Sequence, residues 1–359
     1  MRGDEDNSVD LMQNHRPIYT VMMAADDNYA QHLGVCLISL FENNADLKFV
    51  VYVLSDNISI SNTKRIESIF EKYGNCLIWI NPDKKEFKAF QVSSYYTTAT
   101  FFRLKLADYL GDEVKRVLYL DPDMIVSANI RDLLDADLAG APLAAVNDTP
   151  WQIQFASEHI GIDNSRGRGK YFNAGMMLID VDAFKSYQVF RKAKQIITDE
   201  QYQCHFLDQD ILNIIFRNTW KELPCKWNLL NGFLKREYMT DVRWPDIYSG
   251  IKDRAIIHFS AKEKPWSWFC MNPLKEEYFK YLRVSPWAEF RIKRTFRQKL
   301  ALVKNQLLCH SDCAKQCSSI FNRTTNGKKY CRDTRWRQRS KTRIRCPEAV
   351  SRNRREDNP

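Results

Sequence analysis

The feature of this sequence that most constrains its fold is a series of short, nearly continuous apolar runs. Runs in which apolar residues do not alternate with polar ones are typical of strands buried on both faces. Helix-like segments lie at 29–42, at 61–73 opening with Ser61, at 99–110 and at 183–217. This alternation predicts an α/β domain with a mostly parallel, Rossmann-like sheet flanked by helices on both sides. The apolar runs are 18–25, 48–54, 76–80, 116–120, 142–146, 175–181 and 254–259.

Polar clusters follow several of these runs. The stretch "AADDNYA" follows the first run, "DPD" the fourth, "NDTPW" the fifth, and "HFSAKEKPW" closes the last. A doubly wound sheet binds its ligand at the carboxyl ends of its strands. The sequence therefore predicts an active site along that edge of the sheet.

The net charge of +10 is concentrated at the carboxyl end of the chain. Residues 310–359 carry 14 Lys and Arg against 5 Asp and Glu, and residues 280–309 carry 8 against 1, so the first 279 residues are net negative. Apolar residues at helical spacing among these cations predict a basic amphipathic helix suited to an anionic membrane surface. A helix that packs its apolar stripe on the domain is the alternative. The apolar positions are Ile292, Phe296, Leu300, Val303 and Leu307.

The chain is expected to divide into four parts. These are an extension at 1–16, a catalytic domain at 17–285, the basic helical region at 286–309, and a basic tail at 310–359 that is expected to be disordered. The start is acidic, unlike a secretory signal, and no apolar run approaches the roughly 20 residues that span a bilayer. Five cysteines lie mostly in apolar stretches, as reduced thiols do, which predicts a cytoplasmic location. The other five lie in the tail without the C-x2-C spacing of a zinc site.

Asp121 and Asp123 directly follow the apolar run "RVLYL". Two carboxylates at i and i+2 can bind one Mg²⁺ or Mn²⁺, which can then neutralise a diphosphate. A strand-ending turn with solvated acids is the alternative, and Pro122 fits it. His258, at the end of the last run, is a candidate third ligand, although a histidine there is more often a hydrogen-bonded core residue. Lys264 follows closely and offers a point charge for phosphate.

Three further segments carry candidate binding groups. "AADDNYA" offers Asp26, Asn28 and Tyr29 for a base and ribose, with an Asx turn that caps the next helix as the alternative. There is no dinucleotide fingerprint and no P-loop. "YFNAGMMLID" places Asn173 beside small residues that permit close approach to a ligand. "FLDQDIL" places acids where the dipole of a helix N-terminus also favours them, a structural alternative for at least one of them.

The ordered set "AADDNYAQHLGV", "TATFFRLKL", "VLYLDPDMIV", "YFNAGMMLID", "DQDIL" and "HFSAKEKPW" resembles glycosyltransferase family 8. Within it, the set is most similar to bacterial lipopolysaccharide core α-galactosyl- and α-glucosyltransferases. The resemblance extends from about residue 17 to about residue 290. It implies a GT-A fold, a UDP-sugar donor, Mn²⁺ or Mg²⁺, and retention of anomeric configuration.

The resemblance also implies roles for individual residues. It assigns the metal to Asp121, Asp123 and His258, and catalysis to Asp208 and Gln209, with Gln209 nearest the reactive face of the anomeric carbon. Asp148, in "NDTPW", matches a position that meets donor or acceptor. Where the family often has glycine between its histidine and lysine, this chain has Ser260 and Ala261, so the backbone contact to phosphate is in question. The donor and nucleotide contacts are assigned to Ala24, Ala25, Asp26, Asn28, Tyr29, Arg103, Asp121, Asn173, Ala174 and Lys264.

These inferences lead to an expected function. The chain is expected to be a cytoplasmic, peripheral inner-membrane enzyme that moves glucose or galactose from UDP-sugar to lipopolysaccharide core, without a nucleic-acid partner. The sequence does not decide between the two sugars. Two alternatives stay open, a glycogenin-like self-glucosylating transferase and a non-catalytic sugar-nucleotide-binding domain whose tail binds polyanions.

Overall fold

The computed structural model describes residues 17–298, apart from 91–96, 166, 168, 200, 201, 203, 235–238, 240, 261, 293, 294, 296 and 297. The predicted extension at 1–16 and the predicted tail at 310–359 lie outside the described residues. Most of the predicted basic helix lies outside them too, and its described start, 286–292, forms turns and irregular chain. The four-part division of the chain therefore stays a prediction.

Ten strands are present in the described residues. They are β1 (Ile18–Asp26), β2 (Lys48–Asp56), β3 (Cys76–Ile80), β4 (Arg116–Leu120), β5 (Met124–Val126), β6 (Leu143–Asn147), β7 (Phe172–Asp180), β8 (Lys221–Leu223), β9 (Leu229–Leu230) and β10 (Ile256–His258). The α-helices there are α1 (Ala30–Asn43), α2 (Ile60–Tyr73), α3 (Arg131–Leu134), α4 (Pro150–His159), α5 (Val181–Ser186), α6 (Val189–Ile196), α7 (Leu207–Ile215), α8 (Trp244–Lys252) and α9 (Lys275–Leu282). None of these helices is both long and apolar enough to cross a bilayer.

Seven of the strands form one large sheet in the order β3-β2-β1-β4-β7-β6-β8. Strands β3, β2, β1 and β4 run parallel, as do β6 and β8, whereas β7 is antiparallel to both of its neighbours. The predicted mostly parallel sheet is thus confirmed, with one reversed strand inside it.

Helices cover both faces of this sheet, as predicted. Successive residues of β1 point to opposite faces. Val21 and Met23 pack with α1 and α2, and Met22 packs with α7 and with the 3-10 helix Thr98–Tyr109. Because all three β1 residues are fully buried, the strand reads as a continuous apolar run in the sequence.

A second sheet of three short strands has the order β5-β10-β9. The prediction that the run 254–259 adds a strand to the large sheet is wrong, because β10 pairs with β5 and β9 instead. The apolar pattern reports only that this segment is buried. It does not identify the partner strand.

Several helix predictions also need correction. Ser59, rather than Ser61, caps α2, and its side chain accepts a hydrogen bond from the Asn62 main-chain N–H. Segment 99–110 forms the 3-10 helix Thr98–Tyr109. The helical region at 183–217 is divided into α5, α6 and α7, and the break before α7 places Asp208 and Gln209 at the start of a helix.

Candidate active site

The candidate site lies at the edge of the large sheet where β1, β4 and β6 end and β7 begins. Because β7 is antiparallel, its first residues reach the edge at which its neighbours finish. The main-chain N–H of Asp121, just after β4, donates to the Gly175 carbonyl at 2.8 Å. The reversal of β7 therefore brings the predicted residues Asn173 and Ala174 beside Asp121.

The structure brings Asp121, Asp123 and His258 together, with one candidate ligand atom of each within 4.8 Å of the others. The small sheet produces this arrangement, because His258 pairs in register with Met124, which directly follows Asp123. His258 Nε2 lies 3.3 Å from Asp123 Oδ1. Asp123 and His258 are buried, so their mutual position is fixed by packing.

The two carboxylates have different partners. Asp121 forms a salt bridge with Arg103, with Oδ1 2.7 Å from Nη2, and accepts a hydrogen bond from the Tyr119 hydroxyl at 3.1 Å. Burial raises the pKa of Asp121, Arg103 opposes that shift, and Asp123 adds to it. Asp123 forms an ion pair with Lys264. Burial alone would raise the pKa of Asp123, but Lys264 and His258 hold it well below its ordinary value.

The three residues fit a divalent cation. Asp123 Oδ1 is buried and accepts no hydrogen bond, although His258 Nε2 faces it. A Cβ atom at Gly175 would lie 2.5 Å from His258 Cε1 and 2.8 Å from Asp121 Oδ2, so the glycine keeps this space free of a side chain. Carboxylate oxygens with one imidazole nitrogen suit Mg²⁺, Mn²⁺ and similar ions.

Arg103 links Asp121, a candidate metal ligand, to Asp208 of the predicted catalytic pair. Its guanidinium contacts Asp121, lies with Nε 3.1 Å from Asp208 Oδ2, and donates from Nη1 to the Ala174 carbonyl at 2.9 Å. Burial raises the pKa of Asp208 to about 6, with Arg103 lowering it and Asp121 raising it. The site therefore holds one buried arginine between two carboxylates.

Gln209 belongs to a second hydrogen-bonded group with Asp148 and Asn173. Its Oε1 accepts from the Ala174 main-chain N–H and from Asn173 Nδ2, both at 3.1 Å. Its Nε2 donates to Asp148 Oδ2 at 3.0 Å, and Asn173 Nδ2 donates to the same oxygen at 3.0 Å. Burial raises the pKa of Asp148, and these donors oppose the rise. Both ends of the Gln209 amide are thus held in place.

The turn after β1 lies at the same edge. Ala24 and Ala25 are buried, and Asp26 Oδ1 accepts from the Tyr29 main-chain N–H at 3.0 Å, so the Asx-turn alternative describes this aspartate correctly. Asn28 presents an exposed side chain. The pKa of Tyr29 is raised by burial first and then by nearby carboxylates, including Asp123, which brings the turn close to the metal ligands.

Lys264 reaches the site from the segment that follows β10. Its Nζ contacts Asp123 and donates to the Phe259 carbonyl at 2.7 Å. Two residues later, Trp266 stacks on His32 of α1, with ring centroids 3.4 Å apart. This stacking anchors the segment on the domain. Of the two residues that replace the expected glycine, Ser260 contributes its carbonyl to the Asn231 side chain at 3.0 Å, and Ala261 lies outside the described residues.

Sequence reasoning missed one residue of this site, Asn228. Its side chain is fully buried, contacts His258 Nδ1 at 3.0 Å, and donates to Asn173 Oδ1 at 3.0 Å. The available signal was a lone amide between Trp227 and Leu229, since a buried polar group needs partners. No motif marks it. In contrast, Asp210, the second aspartate of "FLDQDIL", accepts a hydrogen bond from the Tyr171 hydroxyl at 2.6 Å.

Comparisons with known proteins agree with this geometry. The family model described as Glycosyl transferase family 8 matches residues 20–270. General stress protein A of Bacillus subtilis is 31% identical over 75% of this chain and 95% of its own length. Lipopolysaccharide 1,3-galactosyltransferase of Salmonella typhimurium is 25% identical over 75% of this chain and 79% of its own length.

Solved structures give the same result. The crystal structure of galactosyltransferase LgtC in complex with donor and acceptor sugar analogs aligns with a TM-score of 0.65 at 26% identity. The alignment covers 74% of this chain and 96% of that one. The large mixed sheet with flanking helices is therefore the GT-A arrangement of that enzyme.

Proposed function

The chain belongs to glycosyltransferase family 8, and from that premise we propose that it transfers glucose or galactose from a UDP-sugar to a lipopolysaccharide core oligosaccharide. The proposed reaction depends on Mn²⁺ or Mg²⁺ and retains the anomeric configuration.

The observation that carries this proposal is the grouping of Asp121, Asp123 and His258 between two cations, Arg103 and Lys264. A diphosphate ester carries negative charge that must be neutralised when it leaves. A divalent ion bound by these ligands would supply that neutralisation, which is worth several kcal/mol. Lys264 would bind the diphosphate as a point charge, and Arg103 would hold Asp121 and Asp208 in position.

The contacts of Gln209 favour attack from the front face of the sugar. Its amide is neutral, and its oxygen already accepts two hydrogen bonds, which makes it a poor nucleophile. The acceptor hydroxyl would form the new bond to the anomeric carbon on the side from which the diphosphate leaves. The hydroxyl proton would pass to the departing diphosphate. Asp208, when ionised, would stabilise the positive charge that develops on the sugar.

The acceptor assignment rests on relatives and on the surface near Asp148. Relatives are named lipopolysaccharide 1,3-galactosyltransferase and lipopolysaccharide 1,2-glucosyltransferase, so they differ in sugar and linkage. A groove of about 400 Å³ adjoins Asp148 and Arg243. Trp151, at the start of α4, is 55% exposed and stacks on Phe155. Exposed aromatic faces of this kind suit a saccharide.

We also propose that the enzyme acts in the cytoplasm at the inner membrane, where a phosphate-rich lipid acceptor is presented. The basic region 286–309 would bind the anionic surface, and no nucleic-acid partner is expected. Flotation of the full chain with anionic and with zwitterionic vesicles tests this. We expect binding to anionic vesicles that weakens with salt. Equal binding to both vesicle types would contradict it.

The function itself is tested with the purified full chain, labelled UDP-glucose or UDP-galactose, and truncated lipopolysaccharide core. We expect transfer of one sugar to the core, loss of transfer in EDTA, and recovery with Mn²⁺ or Mg²⁺. Full activity in EDTA would contradict the metal assignment. Label that enters the protein without acceptor would indicate a self-glucosylating enzyme. UDP-sugar binding without turnover would indicate a non-catalytic sugar-nucleotide-binding domain. The basic tail makes this the second candidate function.

A further inference from the structure

A hydrogen-bond chain connects the candidate metal ligand His258 to Gln209, and a main-chain group fixes its direction. The Gly175 main-chain N–H, which can only donate, bonds Asn173 Oδ1 at 3.1 Å. The Asn173 atom at that position is therefore the oxygen, and its Nδ2 faces Asp148 and Gln209. The orientation of this amide follows from bonding chemistry at both of its ends.

The next member of the chain is Asn228. It contacts Asn173 Oδ1 at 3.0 Å, and an atom that faces an acceptor must be a donor, so this atom is Nδ2. Its other end, Oδ1, then faces His258 Nδ1 at 3.0 Å. An amide oxygen can only accept, so the imidazole carries its proton on Nδ1. In neutral imidazole the lone pair then lies on Nε2, the atom that faces Asp123.

The fold holds Asn228 rigidly in this position. The residue is 0% exposed, and its main-chain N–H donates to the Cys225 carbonyl at 3.1 Å. It directly precedes β9, in which Leu230 pairs with His258. The small sheet thus places the asparagine next to the imidazole on one side while β5 brings Asp123 to the other.

We propose that Asn228 is a positioning residue that fixes the Nδ1–H tautomer of His258 and so presents the Nε2 lone pair to a divalent cation shared with Asp121 and Asp123. The proposal rests on the metal centre of the proposed function, and it concerns neither the sugar nor the acceptor. Partners that fix the second nitrogen of a metal-binding histidine typically change metal affinity about 10- to 100-fold when they are removed.

Mn²⁺ binding to the full chain, followed by electron paramagnetic resonance without sugar nucleotide, tests the proposal. Asn228→Ala is expected to weaken Mn²⁺ binding about 10- to 100-fold. In a His258→Ala background the same change is expected to alter affinity by less than about twofold, because the group through which it acts is gone. Equal losses in both backgrounds would show a merely structural role and overturn the proposal, as would unchanged affinity of the single variant.

A matched control is Asn44→Ala. Asn44 is also buried, and it bonds the Leu40 carbonyl and the Ile130 main-chain N–H, neither of which belongs to a candidate metal ligand. This variant is expected to lower Tm and leave Mn²⁺ affinity unchanged. Loss of Mn²⁺ affinity in the control as large as in Asn228→Ala would assign the effect to general destabilisation and contradict the proposal.

The tautomer of His258 can also be measured directly in the wild-type protein. Nitrogen-15 NMR of the histidine side chains, with His258 assigned by substitution, reports which ring nitrogen carries the proton. We expect His258 to be protonated on Nδ1 when it is neutral. An Nε2–H tautomer would overturn the proposal. Because neither experiment uses a sugar, failure of UDP-sugar transfer with these results intact would reject the proposed function alone.

Discussion

Asp121 and Asp123 are one residue apart but belong to different parts of the molecule. Asp121 directly follows β4 of the large sheet, and its main-chain N–H donates to the Gly175 carbonyl of β7. Asp123 lies at the start of the small sheet, where its carbonyl accepts from the Phe259 main-chain N–H at 3.1 Å. Pro122 forms the junction. The candidate metal site therefore lies where the two sheets meet, and each carboxylate there has its own cationic partner.

The two sheets position different groups of candidate site residues. On the side of the large sheet lie the turn after β1, Arg103 of the 3-10 helix Thr98–Tyr109, and the hydrogen-bonded group of Gln209, Asp148 and Asn173. On the side of the small sheet lie Asn228 just before β9, His258 at the end of β10, and Lys264 after it. A strand-ending turn with solvated acids does not explain these contacts. Asp121 forms an ion pair with Arg103, and Asp123 forms one with Lys264.

The largest effect is expected when either carboxylate is removed. Asp121→Ala or Asp123→Ala should lower metal-dependent UDP-sugar turnover by about 10³-fold or more, since loss of charge stabilisation worth several kcal/mol has that consequence.

The two carboxylates should contribute differently to the stability of the metal-free protein. The pKa of Asp123 lies below its ordinary value, so its ionised form stabilises the fold at neutral pH, whereas the pKa of Asp121 is raised.

Asp123→Asn should therefore lower the metal-free Tm at pH 7 more than Asp121→Asn does. The stability from Asp123 is present above its ordinary pKa and is lost as pH falls, so the difference should shrink in acid. Asp182→Asn is the control, because its exposed carboxylate pairs only with exposed Lys115 in the described residues. Equal Tm values for the two site variants would contradict the division between the sheets.

The second effect comes from filling the gap at the junction. Gly175→Ala would place a methyl group 2.5 Å from His258 Cε1, so the imidazole must move. We expect Mn²⁺ affinity to fall about 10- to 100-fold, the range seen when a metal ligand loses its orientation. Gly111→Ala is the matched control, since the three atoms nearest its added Cβ belong to the flexible carboxylate of Glu113. Unchanged Mn²⁺ affinity in Gly175→Ala would contradict the expectation that the added methyl group displaces the His258 imidazole.

A pH effect is expected on the large-sheet side. Asp208 has a pKa of about 6 in the fold, raised from 3.8, so it ionises only as pH rises through about 6. Initial rates at saturating metal should fall below that pH in the wild type, and Asp208→Asn should lack this acid limb while being slower throughout. An unchanged acid limb in the variant would assign the titration elsewhere.

The same shift has a consequence for stability. Because the pKa of Asp208 is raised, the folded protein holds this proton up to a higher pH than the unfolded chain does. The contribution of Asp208 to the free energy of unfolding is therefore complete below about pH 3.8 and is lost as the pH rises through about 6. Asp208→Asn removes this cost. Its Tm relative to the wild type should therefore be higher at pH 7 than at pH 4, as measured by differential scanning calorimetry. A constant difference would contradict the raised pKa.

The smallest effect is expected outside both sheets. Trp151→Ala should raise KM for the saccharide acceptor several-fold, in line with an aromatic contact of about 1 kcal/mol, and leave UDP-sugar hydrolysis unchanged. Val284→Ala, at another exposed apolar residue, is the control. An unchanged acceptor KM would remove the aromatic face of α4 from the acceptor site.

The sequence predicted the large sheet far better than the small one. Long apolar runs such as those in β1 and β7 are visible because most of their residues are apolar and buried. Burial does not report direction, so the reversal of β7 could not be predicted. Strands of two or three residues, such as β5 and β9, are too short for any period to appear.

The candidate site shows the same limit. Motifs predicted that Asp121, Asp123 and His258 act together, and the structure groups these three residues. Asn228 acts through contacts that form only when β9 pairs with β10, so no local pattern marks it. The sequence pattern also did not predict the type of helix, since the segment that contains Arg103 looks α-helical in the sequence and folds as a 3-10 helix.

We propose that residues from both sheets bind one divalent cation. Anomalous diffraction from crystals of the full chain grown with Mn²⁺ and UDP tests it most directly. We predict one Mn²⁺ peak within about 2.5 Å of Asp121, Asp123 and His258 and in contact with the diphosphate. Bound UDP without Mn²⁺ at these three residues would contradict it.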